Sequence, residues 1–273
     1  SEGSQIGDIN VTASGDISLT RGGGSFSYAL IGNGGASTGS NSSNAFISGK
    51  VTVDAQGDIA LSAGSGNVAF AEIGHSGYLH THGNVTGDVE VTAGGDLGLV
   101  SGDAGAARYA QIGNGSANLL FGSASGAVTV SVTGETILAT RATGTFNFTM
   151  IGTGKTSNGF ATIGSGTSLT PTGGLTMLAV QSVVTNPDLT IGAGAAANLI
   201  GGWDGSTGLD LSGFPAFTLA DVVNGGAFGA ANGDVNINGA FFASGATFVG
   251  AEDASFASTV DGAMDLTVNT TGT

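Results

Sequence analysis

Four copies of a short motif recur along the chain at nearly equal distances. Each copy places an aromatic residue three positions before an isoleucine that is followed by glycine, as in Tyr-Ala-Gln-Ile-Gly at 109–113. The isoleucines are Ile31, Ile73, Ile112 and Ile151, and the steps between them are 42, 39 and 39 residues. A period of this length is typical of repeat arrays, in which each unit stacks on its neighbours. The sequence therefore predicts one elongated body.

Pairs of short segments precede each motif, and in them apolar and polar residues alternate. The pairs lie at 7–13 with 15–20, 50–55 with 57–61, 87–93 with 95–99, and 127–132 with 134–138, and many open with Gly-Asp. Alternation with period two, bounded by turn residues, is typical of short strands with one buried face. No segment has a convincing helical period.

The spacing of inward-facing residues predicts how the strands stack. Val11 lies 20 residues before Ile31, and Val130 lies 21 before Ile151. We therefore expect an all-β fold, a parallel β-helix (β-solenoid) with roughly 20 residues per coil, in which two coils make the sequence repeat of about 40 residues. A Greek-key sandwich is the structural alternative, but it does not account for the equal spacing.

The repeat changes in regularity along the chain, which predicts three regions. Residues 1–156 carry the regular solenoid repeats. Residues 157–232 form a degenerate solenoid with a loop or an insertion, and residues 233–273 resume the coils. Neither end shows an amphipathic or charged cap, so we expect either a piece of a longer array or ends that stack head to tail on other copies.

Composition excludes several classes of function. The 273 residues include only 5 Lys and Arg against 20 Asp and Glu, for a net charge of −15, so a nucleic-acid partner is excluded by the lack of clustered bases. There is no cysteine, which rules out disulfides and thiolate metal sites. No apolar stretch approaches the eighteen residues that span a bilayer. Charged residues make up 9%, so the surface is polar but weakly charged.

The Gly-Asp strand openings, the motif at 109–115 and the closing segment 265–273 together resemble the large β-strand-repeat, filamentous-haemagglutinin-like surface proteins of Gram-negative bacteria. The resemblance covers 7–154 well and 233–273 loosely. It implies a right-handed parallel β-helix that is secreted through the outer membrane and serves as an adhesin or extracellular (biofilm) matrix fibre. It implies a location outside the cell or on the bacterial surface.

Four aromatic residues at the repeated motif are the candidate site. They are Tyr28, Phe70, Tyr109 and Phe148. If the strand is regular, Ala29 and Ile31 point inward and Tyr28 points outward. An outward aromatic column could stack on host or matrix glycans, or contact a neighbouring rod. The alternative is that the rings turn inward as a ladder in the core, or that a loop covers them.

Acidic and histidine residues give weaker signals of chemistry. An acidic column, Asp16, Asp58, Asp96 and Glu135, is most simply explained by turns in which carboxylates accept local backbone hydrogen bonds. Calcium is possible but not indicated, because its nonapeptide repeat is absent. His75, His80 and His82 cluster, but nearby glycines place them in a surface loop. We predict no metal and no cofactor. Arg21 and Arg141 share a repeat phase three repeats apart.

The function expected from these features is structural and adhesive. The first alternative is a subunit of a self-assembling filament or sheath joined end to end. The second is a glycan-active β-helix enzyme, with Asp204, Asp210 and Asp221 as its candidate acids. Dispersed bases disfavour that chemistry, so we predict no catalytic residues and no enzyme.

Overall fold

In the part of the chain that the structure describes, the regular secondary structure is β-strand, and paired strands run parallel. The computed structural model describes residues 4–21, 24–35, 37–38, 46–64, 66–75, 79–80, 83–102, 106–115, 118–119, 123–140, 145–154, 160–164 and 167–179, and after these the strands between 181 and 270. No helix occurs in these ranges. The predicted all-β parallel β-helix is confirmed.

The early turns each contain five strands. The first turn holds β1 (Gln5–Ile6), β2 (Ile9–Ala13), β3 (Ile17–Thr20), β4 (Tyr28–Ile31) and β5 (Ser37–Thr38). The second holds β6 (Ile47–Ser48), β7 (Val51–Ala55), β8 (Ile59–Ser62), β9 (Phe70–Ile73) and β10 (Leu79–His80). The third holds β11 (Val85–Thr86), β12 (Val89–Ala93), β13 (Leu97–Val100), β14 (Ala110–Ile112) and β15 (Asn118–Leu119).

The later turns contain fewer strands each. Next come β16 (Ala124–Ser125), β17 (Val128–Val132), β18 (Glu135–Ala139), β19 (Thr149–Ile151), β20 (Phe160–Ile163), β21 (Thr167–Pro171), β22 (Gly174–Leu178), β23 (Gln181–Val184), β24 (Asp188–Leu189), β25 (Ala196–Ile200) and β26 (Trp203–Gly205). The last are β27 (Leu209–Leu211), β28 (Phe217–Ala220), β29 (Ala227–Phe228), β30 (Val235–Ile237), β31 (Ala240–Phe242), β32 (Ala246–Ala251), β33 (Ala254–Phe256), β34 (Val260–Asp261) and β35 (Leu266–Thr270).

Three long sheets share one core. Sheet 1 has the order β2-β7-β12-β17-β21-β24, sheet 2 the order β3-β8-β13-β18-β22-β25-β28-β31-β34, and sheet 3 the order β4-β9-β14-β19-β20-β23-β26. Two small sheets, β1-β6-β11-β16 and β5-β10-β15, belong to the long turns alone, and β27-β30-β33 and β29-β32-β35 belong to the last turns. Sheet 2 runs through all three regions that the sequence predicts, and the division into those regions stays a prediction.

One turn in the first half of the chain uses a whole sequence repeat. Val51 pairs with Ile9 on one side and with Val89 on the other, so strands that stack directly come from successive copies of the repeat. The predicted division of each repeat into two shorter coils is therefore wrong for this half. Val11 and Ile31, whose spacing suggested the shorter coil, lie on sheets 1 and 3 of the same turn, and both face the core.

The second half has the shorter turn. Leu169 pairs with Leu189, and Leu199 with Leu219, so the coil length predicted from the sequence applies here. The change takes place where Ile151 pairs with Ile163, a close neighbour along the chain, so that sheet 3 continues directly from β19 to β20. Turns after this point pass from sheet 3 to sheet 1 through a short connection, such as 164–166.

The long turns differ from the short turns by one added segment, which we call the excursion. It runs from the end of a sheet 3 strand to the start of the next sheet 1 strand, at 32–50, 74–88 and 113–127. The strands of the two small sheets lie in the excursions, apart from β1, and stack from turn to turn.

The core consists of the inward residues of the three sheets. The strands of sheets 1 and 2 alternate buried and more exposed residues, as in the Val51–Ala55 strand β7. Small and branched apolar side chains repeat in register, so that Val53, Val91 and Val130 form one column. Stacked strands lie about 4.8 Å apart, so like side chains contact each other along the axis.

Candidate functional site

The four aromatic residues of the motif form one continuous stack. The ring centroids of Tyr28 and Phe70 are 5.0 Å apart, those of Phe70 and Tyr109 5.0 Å, and those of Tyr109 and Phe148 4.9 Å. Phe70, Tyr109 and Phe148 have no exposed surface, whereas Tyr28 is 44% exposed. A ligand has no access to three of the four rings, so the predicted outward column is corrected to a buried ladder that ends at Tyr28.

The predicted alternation of side chains in sheet 3 is correct. The predicted exposure is wrong because the outer face of sheet 3 is covered. Ala71 and Ile73 face the main core as predicted, and Phe70 lies on the other face of β9. That other face is also buried, and a second apolar cluster forms on it around Phe70, Tyr109, Phe148 and Met150. The excursion passes close by, since a Cβ on Gly35 would lie 3.0 Å from the Tyr28 hydroxyl.

The same buried face carries polar side chains that the sequence did not reveal. Glu72 and Gln111 pair in register, and neither has exposed surface. Tyr109 donates its hydroxyl to Glu72 Oε2 at 3.4 Å, and Gln111 Nε2 donates to the Gly152 carbonyl at 3.2 Å. Polar side chains can occupy this buried column because hydrogen bonds satisfy them.

A strained backbone position lies two residues before each aromatic ring. The residues are Phe26, Val68, Ala107 and Phe146, with φ of 58°, 53°, 57° and 60°. None of them is glycine, although L-residues carry a cost of about 1–2 kcal/mol in this left-handed conformation. The strain repeats in every turn of the aromatic stack, which indicates that the connection from sheet 2 to sheet 3 requires this bend.

The acidic column forms a ladder of hydrogen bonds between turns. Asp58 donates its backbone N–H to Asp16 Oδ1 at 2.9 Å, and Asp96 donates to Asp58 Oδ1 at 2.8 Å. Glu135 continues the ladder by donating to Asp96 Oδ1 at 2.8 Å. The sequence predicted the recurrence, but the predicted local turn bonds are replaced by bonds to the adjacent turn.

A second polar column closes the corner between sheet 3 and sheet 1, and we call it the corner column. Its members are Asn33, His75, Asn114 and Thr153. Each reaches back to the glycine just before the sheet 1 strand of its own turn: Gly7, Gly49, Gly87 and Gly126, respectively. The corner is therefore tied across its base, and the excursion leaves from that point.

His75 is fully buried in this column, so the predicted placement in a surface loop is wrong for this residue. Burial lowers the pKa of His75, and the Gly49 carbonyl and the Asp8 carboxylate oppose that effect less strongly. The side chain of His80 and the whole of His82 lie outside the described residues.

Two arginines lie in the connections between sheets 2 and 3. Arg21 Nη1 donates to the Gly24 carbonyl at 2.9 Å, and Arg108 Nε donates to the Gly66 carbonyl at 2.6 Å. Burial, and then the charge of Arg108, lower the pKa of Arg21. Arg141, which has the same phase in the sequence repeat as Arg21, lies outside the described residues.

The acidic and histidine residues of the described part of the chain do not converge on one metal site. No group of three or more His, Asp or Glu side chains there could hold a metal ion. Asp204 and Asp210 lie on β26 and β27 in different sheets, and Asp221 falls outside the described residues. Among these residues, no helix has the length and apolar character needed to cross a membrane.

Comparison with known proteins adds no assignment to this geometry. No known protein family matches the chain, and no curated protein or solved structure matches it.

Proposed function

We propose that this chain is an extracellular structural rod, part of a bacterial surface or matrix fibre that mediates adhesion. The observation that carries the proposal is the axial continuity of its bonding. Backbone ladders, the aromatic stack and the acidic ladder all run in the same direction and join each turn to the next. Pulling along such an axis loads many bonds in each turn at once, which suits a stiff fibre.

The outward face of sheet 1 supports an adhesive role. Its side chains are mostly short hydroxyl or amide groups in two rows along the axis. One row is Asn10, Thr52, Glu90, Thr129 and Ser168, and the other is Thr12, Asp54, Thr92, Ser131 and Thr170. Hydroxyl groups both donate and accept hydrogen bonds, so a repeating row of them complements the hydroxyls of an extended glycan.

Localisation in the producing cells tests the proposal. Antibodies raised against the purified chain should label the outer surface or extracellular fibres in immunogold electron microscopy. A strain from which the coding sequence has been deleted is the control for specific labelling, and it should also adhere less to polysaccharide-coated surfaces. Labelling confined to the cell interior, or unchanged adhesion of the deletion strain, contradicts the proposal.

A second candidate, a filament that assembles end to end from copies of this chain, is favoured by the apolar exposure of the first turn. Ile6, Phe26 and Tyr28 are 72%, 62% and 44% exposed, and the outer ring face of Tyr28 could extend the stack. Analytical ultracentrifugation across a hundredfold range of concentration tests this candidate. Growth of the sedimentation coefficient that is abolished by Tyr28→Ser supports it, and a concentration-independent monomer contradicts it.

A further inference from the structure

His75 occupies the corner of the second turn with both ring nitrogens engaged. Its Nδ1 accepts a hydrogen bond from the backbone N–H of Asn33 at 3.0 Å. Its Nε2 lies 3.0 Å from the Gly49 carbonyl oxygen, which is an acceptor. The ring therefore joins the first excursion at both ends, because Asn33 stands near its start and Gly49 near its finish.

This arrangement requires one protonation state. A neutral imidazole with its hydrogen on Nε2 donates to Gly49 and accepts from Asn33. Adding a proton to Nδ1 turns the acceptor into a donor that points at the N–H of Asn33, so that contact becomes repulsive. The bond from Nε2 to Gly49 can persist, but the bond between Nδ1 and Asn33, in the preceding turn, cannot.

The other described members of the corner column do the same task with groups that do not titrate. Asn33 Nδ2 donates to the carbonyls of Gly7 and Ser48 at 2.9 Å and 3.2 Å. Asn114 Oδ1 accepts the backbone N–H of His75 at 3.1 Å, the role that His75 Nδ1 has for Asn33. Among these four corners, only that of the second turn holds an ionisable ring.

The charged groups around His75 compensate only in part for a proton on it. Asp8 is the carboxylate whose charge acts on the ring, and its Oδ1 already accepts the backbone N–H of Lys50 at 2.8 Å. The ammonium group of Lys50 lies 2.7 Å from Glu90 Oε1 at the surface. Asp88, beyond the corner, accepts the backbone N–H of Ala127 at 3.0 Å.

We propose that His75 is a pH-sensitive latch, which holds the start of the first excursion, at Asn33, to the second turn when its imidazole is neutral and releases Asn33 when the imidazole is protonated. The adjacent Asn114 corner stays closed at either pH. Acid therefore loosens one excursion while leaving the three long sheets stacked.

The sign of the effect follows from the buried ring. Its pKa in the closed corner lies below the ordinary value of 6.5, to which it returns when the corner opens. The closed corner is thus fully favoured above pH 6.5, and it weakens as the pH falls from 6.5 towards the lower value. Over that window the opening equilibrium rises by up to about tenfold per pH unit, and it levels off below it.

Hydrogen–deuterium exchange of the full chain at pH 7.5, 6.5 and 5.0, corrected for intrinsic exchange rates, measures the latch directly. Peptides that contain the Asn33 amide should lose protection at pH 5.0, whereas peptides that contain the His75 amide, which donates to Asn114 Oδ1, should keep it. His75→Asn installs the residue that the chain itself uses at positions 33 and 114, and it should remove the pH dependence. Equal loss of protection in wild type and His75→Asn would overturn the proposal, as would unchanged protection in the wild type.

A second measurement does not depend on the folding of that variant. In the His80→Gln/His82→Gln double variant, His75 is the sole histidine, and its ring nitrogens can be followed by NMR during a pH titration. The Nε2–H tautomer at pH 7.5, with protonation that coincides with loss of protection at Asn33, supports the latch. The Nδ1–H tautomer, or protonation with no change in protection, contradicts it.

Discussion

Asp58 Oδ1 accepts a hydrogen bond from the backbone N–H of Asp96, one full turn further along the chain, at 2.8 Å. Asp58 in turn donates its own N–H to Asp16 Oδ1, so Asp58 both donates and accepts one bond of the ladder. At the corner between sheets 1 and 2, side-chain hydrogen bonds therefore join successive turns along the axis, in addition to the backbone hydrogen bonds of the strands.

Asp58→Ala should lower the free energy of unfolding by about 1 kcal/mol, because the N–H of Asp96 loses its acceptor in a partly solvated position. Asp58→Asn should lower it less, since the amide oxygen still accepts. The control is Asp54→Ala, which removes an exposed carboxylate from the outward face of β7. Shifts in the urea midpoint measure all three, and an effect of Asp54→Ala equal to that of Asp58→Ala would contradict the ladder.

Tyr109→Ala should destabilise the chain by about 3–5 kcal/mol, because it leaves a cavity between two buried rings. Tyr28→Ala should have a much smaller effect, since that ring ends the stack and is 44% exposed. Tyr109→Phe keeps the ring and removes only the hydroxyl that donates to Glu72. Urea unfolding should rank the losses as Tyr109→Ala, then Tyr109→Phe, then wild type. Similar losses for Tyr109→Ala and Tyr28→Ala would show that the stack is not the source of stability.

Gly113→Ala should be among the most damaging single changes in the long turns. Gly113 has φ of 134°, and a Cβ there would lie 2.1 Å from the Gly152 carbonyl oxygen of the next turn. The two nearest atoms belong to the backbone of Gly152, which cannot move aside as a side chain can, so we expect a loss of several kcal/mol or failure to fold. The matched control is Gly98→Ala, because its Cβ would meet nothing within 4 Å. Thermal unfolding followed by circular dichroism should show Gly98→Ala at or above the wild-type melting temperature.

Phe26→Gly should stabilise the chain by about 1 kcal/mol. Phe26 has φ of 58° and a side chain that is 62% exposed, so glycine relieves backbone strain and loses little buried surface. The control is Ser25→Gly, a neighbouring position outside the positive-φ residues, where glycine only adds flexibility to the unfolded chain. Urea midpoints should therefore move in opposite directions for the two variants, and a fall for Phe26→Gly would contradict the strain.

The sequence was sufficient to predict the strands, their parallel stacking and the residues that recur in columns, because hydrophobic alternation and repeat spacing report directly on which side chains face a core. It could not fix the length of a turn. Val11 and Ile31 are both inward, and spacing alone does not distinguish neighbouring coils from two sides of one coil. Only the pairing of Val11 with Val53 decides between them.

The candidate site was predicted in part for a related reason. Alternation placed Tyr28 and Phe70 on the face of sheet 3 that points away from the main core, which is where they lie. Whether that face meets water depends on a further layer of chain, and a strand pattern carries no information about it. The corner column had a signal that could have been used, since Asn33, His75 and Asn114 occupy the same position after Ile-Gly.

The excursions have different lengths, but the register of the sheets does not change with them. Ile31 to Val51 encloses residues 32–50, whereas Ile73 to Val89 encloses the shorter segment 74–88. The register of sheet 1 is nevertheless continuous across both. Because the corner is tied at its base, residues added or deleted in the excursion leave the pairing of sheet 1, and so the rise per turn, unchanged. Such a scaffold can acquire new surface by insertion at a single corner of each turn, while the rise from one turn to the next stays constant.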